Sequence, residues 1–258
     1  MPELLEVEAY RRAADRIVGA TVVDVECPDP RYLRRTVGAE ELVAALVGDR
    51  IVGADRHGKV LLLRTEGCRT LAVRFGMTGR LVVAGSSPIP ELHYGPAGDP
   101  DAPVRFLLRT GGGPLSVVDP RRLGSVELDP DLTLLGPDAA SLRVADLRPA
   151  LRSTRALKVV LLDQRSVAGL GNLLVDESLW RAGLAPDRPA DSLSGPDQVR
   201  LARTIVRTVA LLGRRGGSHT GDLQDARDAR GACPRCGATL SVATIGGRTT
   251  VWCAVEQA

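Results

Sequence analysis

The sequence predicts an α+β chain: an N-terminal helix with a β-sandwich or barrel, then a helical half, then a small cysteine-bearing hairpin. Three observations carry this reading. Val7, Tyr10, Ala14, Ile17 and Val18 recur at helical spacing. From Thr21 to about Leu128 the pattern changes to short β-rich runs with glycine-rich turns between them. From Ser141 the periodicity is helical, until a Cys-x-x-Cys at Cys233 opens the last stretch.

In chain order, residues 3 to 18 form one amphipathic helix, and Gly19 stops it. Strands are expected at Thr21–Val25, Val60–Arg64, Leu71–Phe75, Leu81–Val83, Val104–Arg109 and Leu115–Val118, with Gly111-Gly112-Gly113 as a hairpin loop. Gly85–Ala102, rich in Gly, Pro and Ser, reads as a mobile surface loop. Asp129-Pro130-Asp131 and Gly136-Pro137-Asp138 punctuate the change to the second half. Helices are expected at Leu142–Leu151, Arg155–Leu162, Leu173–Ala182 and Pro196–Leu212. The expected division is 1–131, 132–230 and 231–258.

Composition bounds the function. With 258 residues, 44% hydrophobic and 25% charged, the chain suits a soluble globular protein of one large or two ordinary domains. No apolar run is long enough for a membrane span, and the N-terminus lacks a signal-peptide pattern, so a cytoplasmic protein with no membrane partner is expected. Five cysteines, two of them in a Cys-x-x-Cys, argue for metal over disulfides. A net charge of +3 permits nucleic-acid binding without demanding it. Lys59 and Lys158 are the only lysines and Asn172 the only asparagine, in a chain whose other basic residues, histidines apart, are arginine.

Three stretches carry chemistry. Met1-Pro2-Glu3-Leu4-Leu5-Glu6 places a small proline after a removable methionine. Removal would leave Pro2 with a free secondary amine, whose ordinary pKa near ~8 permits nucleophilic attack on a sugar carbon. Glu3 is adjacent and Glu6 stands one turn on, as proton-transfer groups would. Taken alone, these residues equally describe an acidic helix start. Second, Gly169-Leu170-Gly171-Asn172 lies between two helices, where outward amides at a helix N-terminus would bind phosphate. Alone, it is also a plain glycine-rich connector. Third, Cys233-Pro234-Arg235-Cys236, sixteen residues, then Cys253-Ala254-Val255-Glu256 describe a zinc ribbon whose fourth slot holds Glu256. Gly246-Gly247 supplies its hairpin turn. A metal-free hairpin with three spare thiols stays open at this point.

These pieces, with the Lys59 segment and Asp119-Pro120-Arg121-Arg122-Leu123-Gly124, occur in an order that resembles the formamidopyrimidine-DNA glycosylase and endonuclease VIII family of base-excision repair enzymes. The resemblance covers nearly the whole chain. It implies a helix plus β-sandwich domain joined to a helix–two-turn–helix domain that ends in a zinc finger. It implies that Pro2 forms a Schiff base with the sugar and cleaves by β,δ-elimination. Glu3 would move the proton at the sugar, Glu6 would hold the site, and Lys59 would contact DNA at the lesion. Met77 would fill the gap left by the everted base, Arg121 would reach the orphaned partner, and Leu123 would wedge into the stack. Lys158, Asn172 and Arg248, with the Gly169–Gly171 loop, would contact phosphate.

The resemblance therefore implies a bifunctional glycosylase and lyase acting on oxidised bases in damaged double-stranded DNA. The enzyme would be a monomer associated with the nucleoid, with Zn2+ bound by Cys233, Cys236, Cys253 and Glu256. Departures from the family pattern are Leu5 for a proline, Leu123 for a phenylalanine, and Glu256 for a cysteine. Only fifteen residues separate Gly217 from Cys233, where the family carries a longer segment that covers an everted 8-oxoguanine. That leaves two further readings. One is a member specialised for oxidised pyrimidines or bulky adducts. The other is a non-catalytic binder of damaged DNA.

Overall fold

The computed structural model describes residues 2–33, 38–89, 92, 102–228 and 231–258. They fall into two compact units, one of Pro2 and Glu6–Leu132, the other of Glu3–Leu5 and Thr133–Ala258.

The first unit begins with α1 (Leu4–Ala14), whose last turn tightens to a 3-10 turn at Asp15–Ile17. The helix thus ends short of the expected residue 18, and Gly19 follows at φ +89°. Next come β1 (Val22–Glu26), α2 (Ala39–Leu46), β2 (Ile51–His57), β3 (Val60–Thr65), β4 (Thr70–Arg74), β5 (Arg80–Val83), β6 (Val104–Thr110), β7 (Gly113–Val118) and β8 (Ser125–Leu128). Two antiparallel four-stranded sheets result, ordered β1-β6-β7-β5 and β2-β3-β4-β8. Period-two alternation in β5, β6 and β7 turns one face of the first sheet to a shared core, whereas β3 and β4 are buried along nearly their whole length. Leu61 and Leu63 face Val73 and Leu71 in register across β3 and β4. With Leu81, Phe106 and Leu115 of the other sheet and Val7 and Tyr10 of α1, they form one buried cluster.

In this unit the expected strands leave out β8, and two further elements escape the sequence patterns. In β2, Gly53, Ala54, Asp55 and Arg56 interrupt the apolar alternation, and the strand bulges between Ile51 and Gly53. A Cβ on Gly53 would meet the Arg64 guanidinium at 2.6 Å, so glycine there makes room for a neighbour. The other is α2, a short helix that buries only Leu42 and Leu46. Most of the predicted loop Gly85–Ala102 lies outside the described residues.

The second unit contains α3 (Val144–Leu147), α4 (Leu157–Leu162), α5 (Asn172–Ala182), α6 (Gly195–Arg215), α7 (Asp222–Asp228) and the hairpin β9 (Ser241–Ile245) with β10 (Arg248–Trp252). The helix expected over Leu142–Leu151 shrinks to the single turn α3, because Pro149 offers no amide to continue it. The long helix α6 is better specified. Ser194 and Asp197 form a reciprocal capping box at its start, and Gly216 ends it at φ +108°. Leu157, Leu161, Leu174, Leu179, Ile205 and Leu212 form the core between α4, α5 and α6, which also takes in Leu4 and Leu5. Gly246 and Gly247, at φ +59° and +72°, make the two-residue turn of the hairpin, where both positions need positive φ. No described helix is long and apolar enough to cross a membrane.

Candidate active site and DNA-contact residues

Glu3 stands just before α1 and is 1% exposed. Its carboxylate caps the N-terminus of α5. One oxygen accepts the amides of Gly171 at 2.9 Å and Leu174 at 3.1 Å, and the other accepts that of Leu173 at 2.9 Å. Three donors converging on a carboxylate suit its ionised, acceptor-only form and fix its rotamer. The glycines make the approach physically available. A Cβ on Gly171 would collide with the Glu3 carboxyl carbon, and one on Gly169, at φ +108°, would meet Leu4. The Leu4 amide in turn donates to the Gly169 carbonyl at 3.0 Å. Gln164 braces the loop by accepting from the Gly169 amide and donating to the Leu162 and Leu170 carbonyls, each at 2.9 Å.

This corrects the expectation that Gly169 and Gly171 offer outward amides to phosphate. Both amides are spent inside the protein, one on Gln164 and one on Glu3. The loop is the seat of Glu3. Pro2, the expected nucleophile, is the covalent neighbour of that held carboxylate.

In the first unit, Glu6 is buried in the first turn of α1. Tyr10, one turn on, donates to the Gly79 carbonyl at 3.4 Å. Burial, then the Glu6 charge, pushes the Tyr10 phenol well above its ordinary range, so it stays a neutral donor. Lys59 is half-buried and follows Gly58, at φ +55°, in the β2–β3 turn. Arg56 braces that turn, donating to the Gly58 carbonyl at 2.8 Å and to Glu8 at 3.3 Å.

Met77, Arg121 and Leu123 sit on two loops that share one buried anchor. The Asp119 carboxylate accepts from Thr78 Oγ1 at 2.6 Å and from the Leu123 and Gly124 amides at 2.8 Å each. The Tyr32 hydroxyl lies 3.5 Å from the same carboxylate. Gly76, at φ +57°, lets its loop pass against the Leu123 backbone, where any Cβ would collide. Arg122 is held at φ +55°, a costly conformation for a non-glycine residue, with its guanidinium 2.9 Å from Asp29. The outcome is an exposed Arg121 and a Leu123 left 39% exposed, beside a half-buried Met77. Sequence reasoning named the three presented residues but missed Asp119, Thr78 and Tyr32 beneath them. An aspartate four and five residues before two turn amides is the signal that was there to read.

Lys158 requires a second correction. Expected at phosphate, it is fully buried, with its ammonium 2.6 Å from Asp176 and 3.2 Å from the Thr249 carbonyl. Burial draws it below the ordinary lysine value, against the pull of Asp176. Asn172, the first residue of α5, donates to the same Thr249 carbonyl at 2.9 Å, and Arg248 is exposed on β10.

The thiols of Cys233, Cys236 and Cys253 lie within 4.8 Å of one another, close enough to hold a metal ion. The Trp180 indole donates to Cys233 Sγ at 3.4 Å. Glu256, expected as the fourth ligand, does not join them. Its carboxylate lies 4.0 Å from Arg235, whose guanidinium stacks over Trp180 at 4.1 Å and donates to the Trp180 carbonyl.

Comparison with known proteins agrees with this geometry. Residues 1–126 match the formamidopyrimidine-DNA glycosylase N-terminal domain and residues 135–221 the H2TH domain of the same enzymes. The formamidopyrimidine-DNA glycosylase of Geobacillus kaustophilus (strain HTA426) is 34% identical over 282 residues, covering 98% of each chain. That of Roseiflexus sp. (strain RS-1) is 33% identical over 281 residues, with the same coverage. Among solved structures, a complex of Lactococcus lactis Fpg with Fapy-dG-containing DNA matches with a TM-score of 0.83 at 29% identity over 99% of both chains. A complex of the same protein with abasic-site-containing DNA matches with a TM-score of 0.82. The chain belongs to the formamidopyrimidine-DNA glycosylase family and is a DNA glycosylase.

Proposed function

We propose that the protein is a bifunctional glycosylase and lyase that excises oxidised bases from damaged duplex DNA with the amine of Pro2 as nucleophile. With Met1 removed, the amine attacks the sugar carbon that bears the lesion, and the base leaves. The resulting Schiff base then loses its 3′ and 5′ phosphates by β,δ-elimination. The observation that carries this reading is the Glu3 carboxylate, fixed by three amides one residue from the amine. Held there, it takes up and returns protons at the sugar without reorganising. Glu6 supports the same turn, and Lys59 contacts the DNA at the lesion.

Met77 fills the gap left by the everted base, Arg121 reaches toward the orphaned partner base, and Leu123 wedges into the stack. The exposed apolar Leu123 on an Asp119-braced turn supports a wedge role. Asn172 and Arg248 engage phosphate. The three thiolates suit zinc, which when bound would cross-link the hairpin as a structural ion. The protein acts as a monomer.

The fifteen-residue length of the segment between Gly217 and Cys233, part of which is α7, supports a reading of the lesion class. A segment this short favours oxidised pyrimidines or bulky adducts over a tightly covered 8-oxoguanine. Borohydride trapping on duplexes carrying each lesion tests both parts. Trapping by the mature protein and its loss in Pro2→Gly is the expected result. Full trapping by protein shown to retain Met1 would defeat the amine assignment. Strongest trapping on 8-oxoguanine would defeat the lesion assignment.

A further inference from the structure

The carbonyl of Thr249 on β10 accepts from three side chains, one from each of three helices. Lys158 Nζ of α4 lies at 3.2 Å, Asn172 Nδ2 of α5 at 2.9 Å and Arg227 Nη2 of α7 at 2.9 Å. Asp176 gathers the same groups from the other side. Its carboxylate takes Lys158 at 2.6 Å, Arg227 Nη1 at 2.5 Å and the Val251 amide at 3.4 Å. A buried lysine and a half-buried arginine thus share one carboxylate, and each also donates to a single backbone oxygen. A hairpin needs no such cluster to close, since its own ladder pairs Arg248 with Ile245 and Thr250 with Ala243.

What the cluster does is fix one strand. Thr249 directly follows Arg248, so pinning the Thr249 carbonyl and the Val251 amide, both just beyond it on one edge of the strand, sets the path of the backbone that carries Arg248. Lys158 and Asp176 could make their ion pair without the hairpin. Lys158 and Arg227 both span the two, Lys158 through one ammonium and Arg227 with one prong on Asp176 and the other on Thr249. The planar fork of Arg227 fixes the direction of each bond, which a flexible lysine at its position would not. It is supplied by the short segment between Gly217 and Cys233, where the family carries a longer one.

We propose that Arg227 is a positioning residue for phosphate binding: it holds β10 in the path that presents Arg248, and does not itself touch DNA. The proposal rests on the reading of Arg248 as a phosphate contact. A direct contact by Arg227 is the competing possibility, and salt dependence separates the two.

The experiment measures binding of the full-length protein to a duplex carrying a stable abasic-site analogue, across a salt series. The variants are Arg248→Ala, Arg227→Ala, Arg227→Lys and the Arg227→Ala/Arg248→Ala pair. Each neutralised phosphate contributes about one unit of log–log slope. Arg248→Ala is expected to lower the slope by about one and to weaken binding roughly ten- to a hundredfold, the range for a lost charge-assisted hydrogen bond. Arg227→Ala is expected to do the same, and the double variant to lose nothing further. Arg227→Lys, the milder change, keeps the charge without the fork and is expected to behave like Arg227→Ala. A wild-type circular dichroism spectrum and thermal unfolding midpoint in every variant separate lost presentation from lost fold.

A slope loss of about two in the double variant would make Arg227 a phosphate ligand and overturn the proposal. So would an unchanged slope in Arg227→Ala, or a wild-type slope in Arg227→Lys. An unchanged slope in Arg248→Ala alone would instead overturn the reading of Arg248, and the positioning role with it.

Discussion

Gly171→Ala tests whether Glu3 works by being held in place. The substitution leaves the carboxylate chemically intact but puts a methyl group where its carboxyl carbon lies. Glu3 must then leave the amides of Gly171, Leu173 and Leu174. A hydrogen bond to a charged group contributes about 1.5–3 kcal/mol, so losing all three has an upper bound of about 4.5–9 kcal/mol, reduced wherever water reaches the freed amides. Glu3→Gln is milder in stability. Its amide oxygen can keep the two bonds from Gly171 and Leu174, while its NH2 group faces the Leu173 donor. One charge-assisted bond is lost, about 1.5–3 kcal/mol. Catalysis should rank differently. Glu3→Gln removes the proton carrier, and base release in a single turnover should fall about a hundredfold or more. Gly171→Ala keeps the carrier but misplaces it, which also costs on the order of a hundredfold. Strand cleavage at a preformed abasic site should suffer less in both. Urea unfolding reads the stability ranking, and single-turnover base release reads the chemistry. Wild-type base release by a Gly171→Ala protein of wild-type stability would show that the three-amide seat is irrelevant.

Other outcomes follow from neighbouring features. Asp119→Ala leaves the Thr78 hydroxyl and the Leu123 and Gly124 amides without their acceptor, at about 1–3 kcal/mol each. It should lower thermal stability and abolish the fluorescence rise of a 2-aminopurine placed opposite the lesion, whereas a retained rise would count against Asp119 as the anchor of the wedge. Ser194, helped by Arg200 and Arg188, holds the Asp197 carboxyl below its ordinary value of 3.8. A depressed carboxylate stabilises the fold above its unfolded pKa and loses that effect as pH falls through the folded one. The stability gap between wild type and Asp197→Asn should therefore be constant above about pH 5 and close below 3.8, and a gap that widens with acid would reverse the sign. Glu256→Cys adds a fourth sulfur to the three thiols and should raise zinc affinity in a competition titration with a chelator; unchanged affinity would mean that residue 256 cannot reach the ion.

Elements with local determinants were legible in the sequence. The helices expected at Leu173–Ala182 and Pro196–Leu212 form as α5 and α6, whose ends are set locally, by Gly183 in the left-handed conformation and by the Ser194–Asp197 box, because caps act over three or four residues. The alternating strands β6 and β7 and the continuous apolar runs of β3 and β4 could be read for the same reason. Strand β2 could not, since its Gly53 answers to Arg64 on the neighbouring strand rather than to its own segment. Helix α3 was overestimated because apolar periodicity ran on through Pro149, whose missing amide breaks the ladder.

The site divides along a similar line. Residue types announced the chemistry: a proline after methionine, two early glutamates, spaced cysteines. They did not announce which polar groups are consumed internally. Gly171 looked like a donor for phosphate until Glu3, 168 positions away, took its amide. Lys158 looked like a hand for DNA until Asp176 and Thr249 buried it. Both errors have one cause. A cation or an amide is read from sequence as available, and it remains available only when no partner distant in the chain satisfies it at lower cost than solvent or ligand. Exposed Arg248 meets that condition and buried Lys158 does not. Lys158 and Arg227 thus spend their charge on Asp176 and the hairpin backbone, whereas Arg248 keeps its guanidinium at the surface.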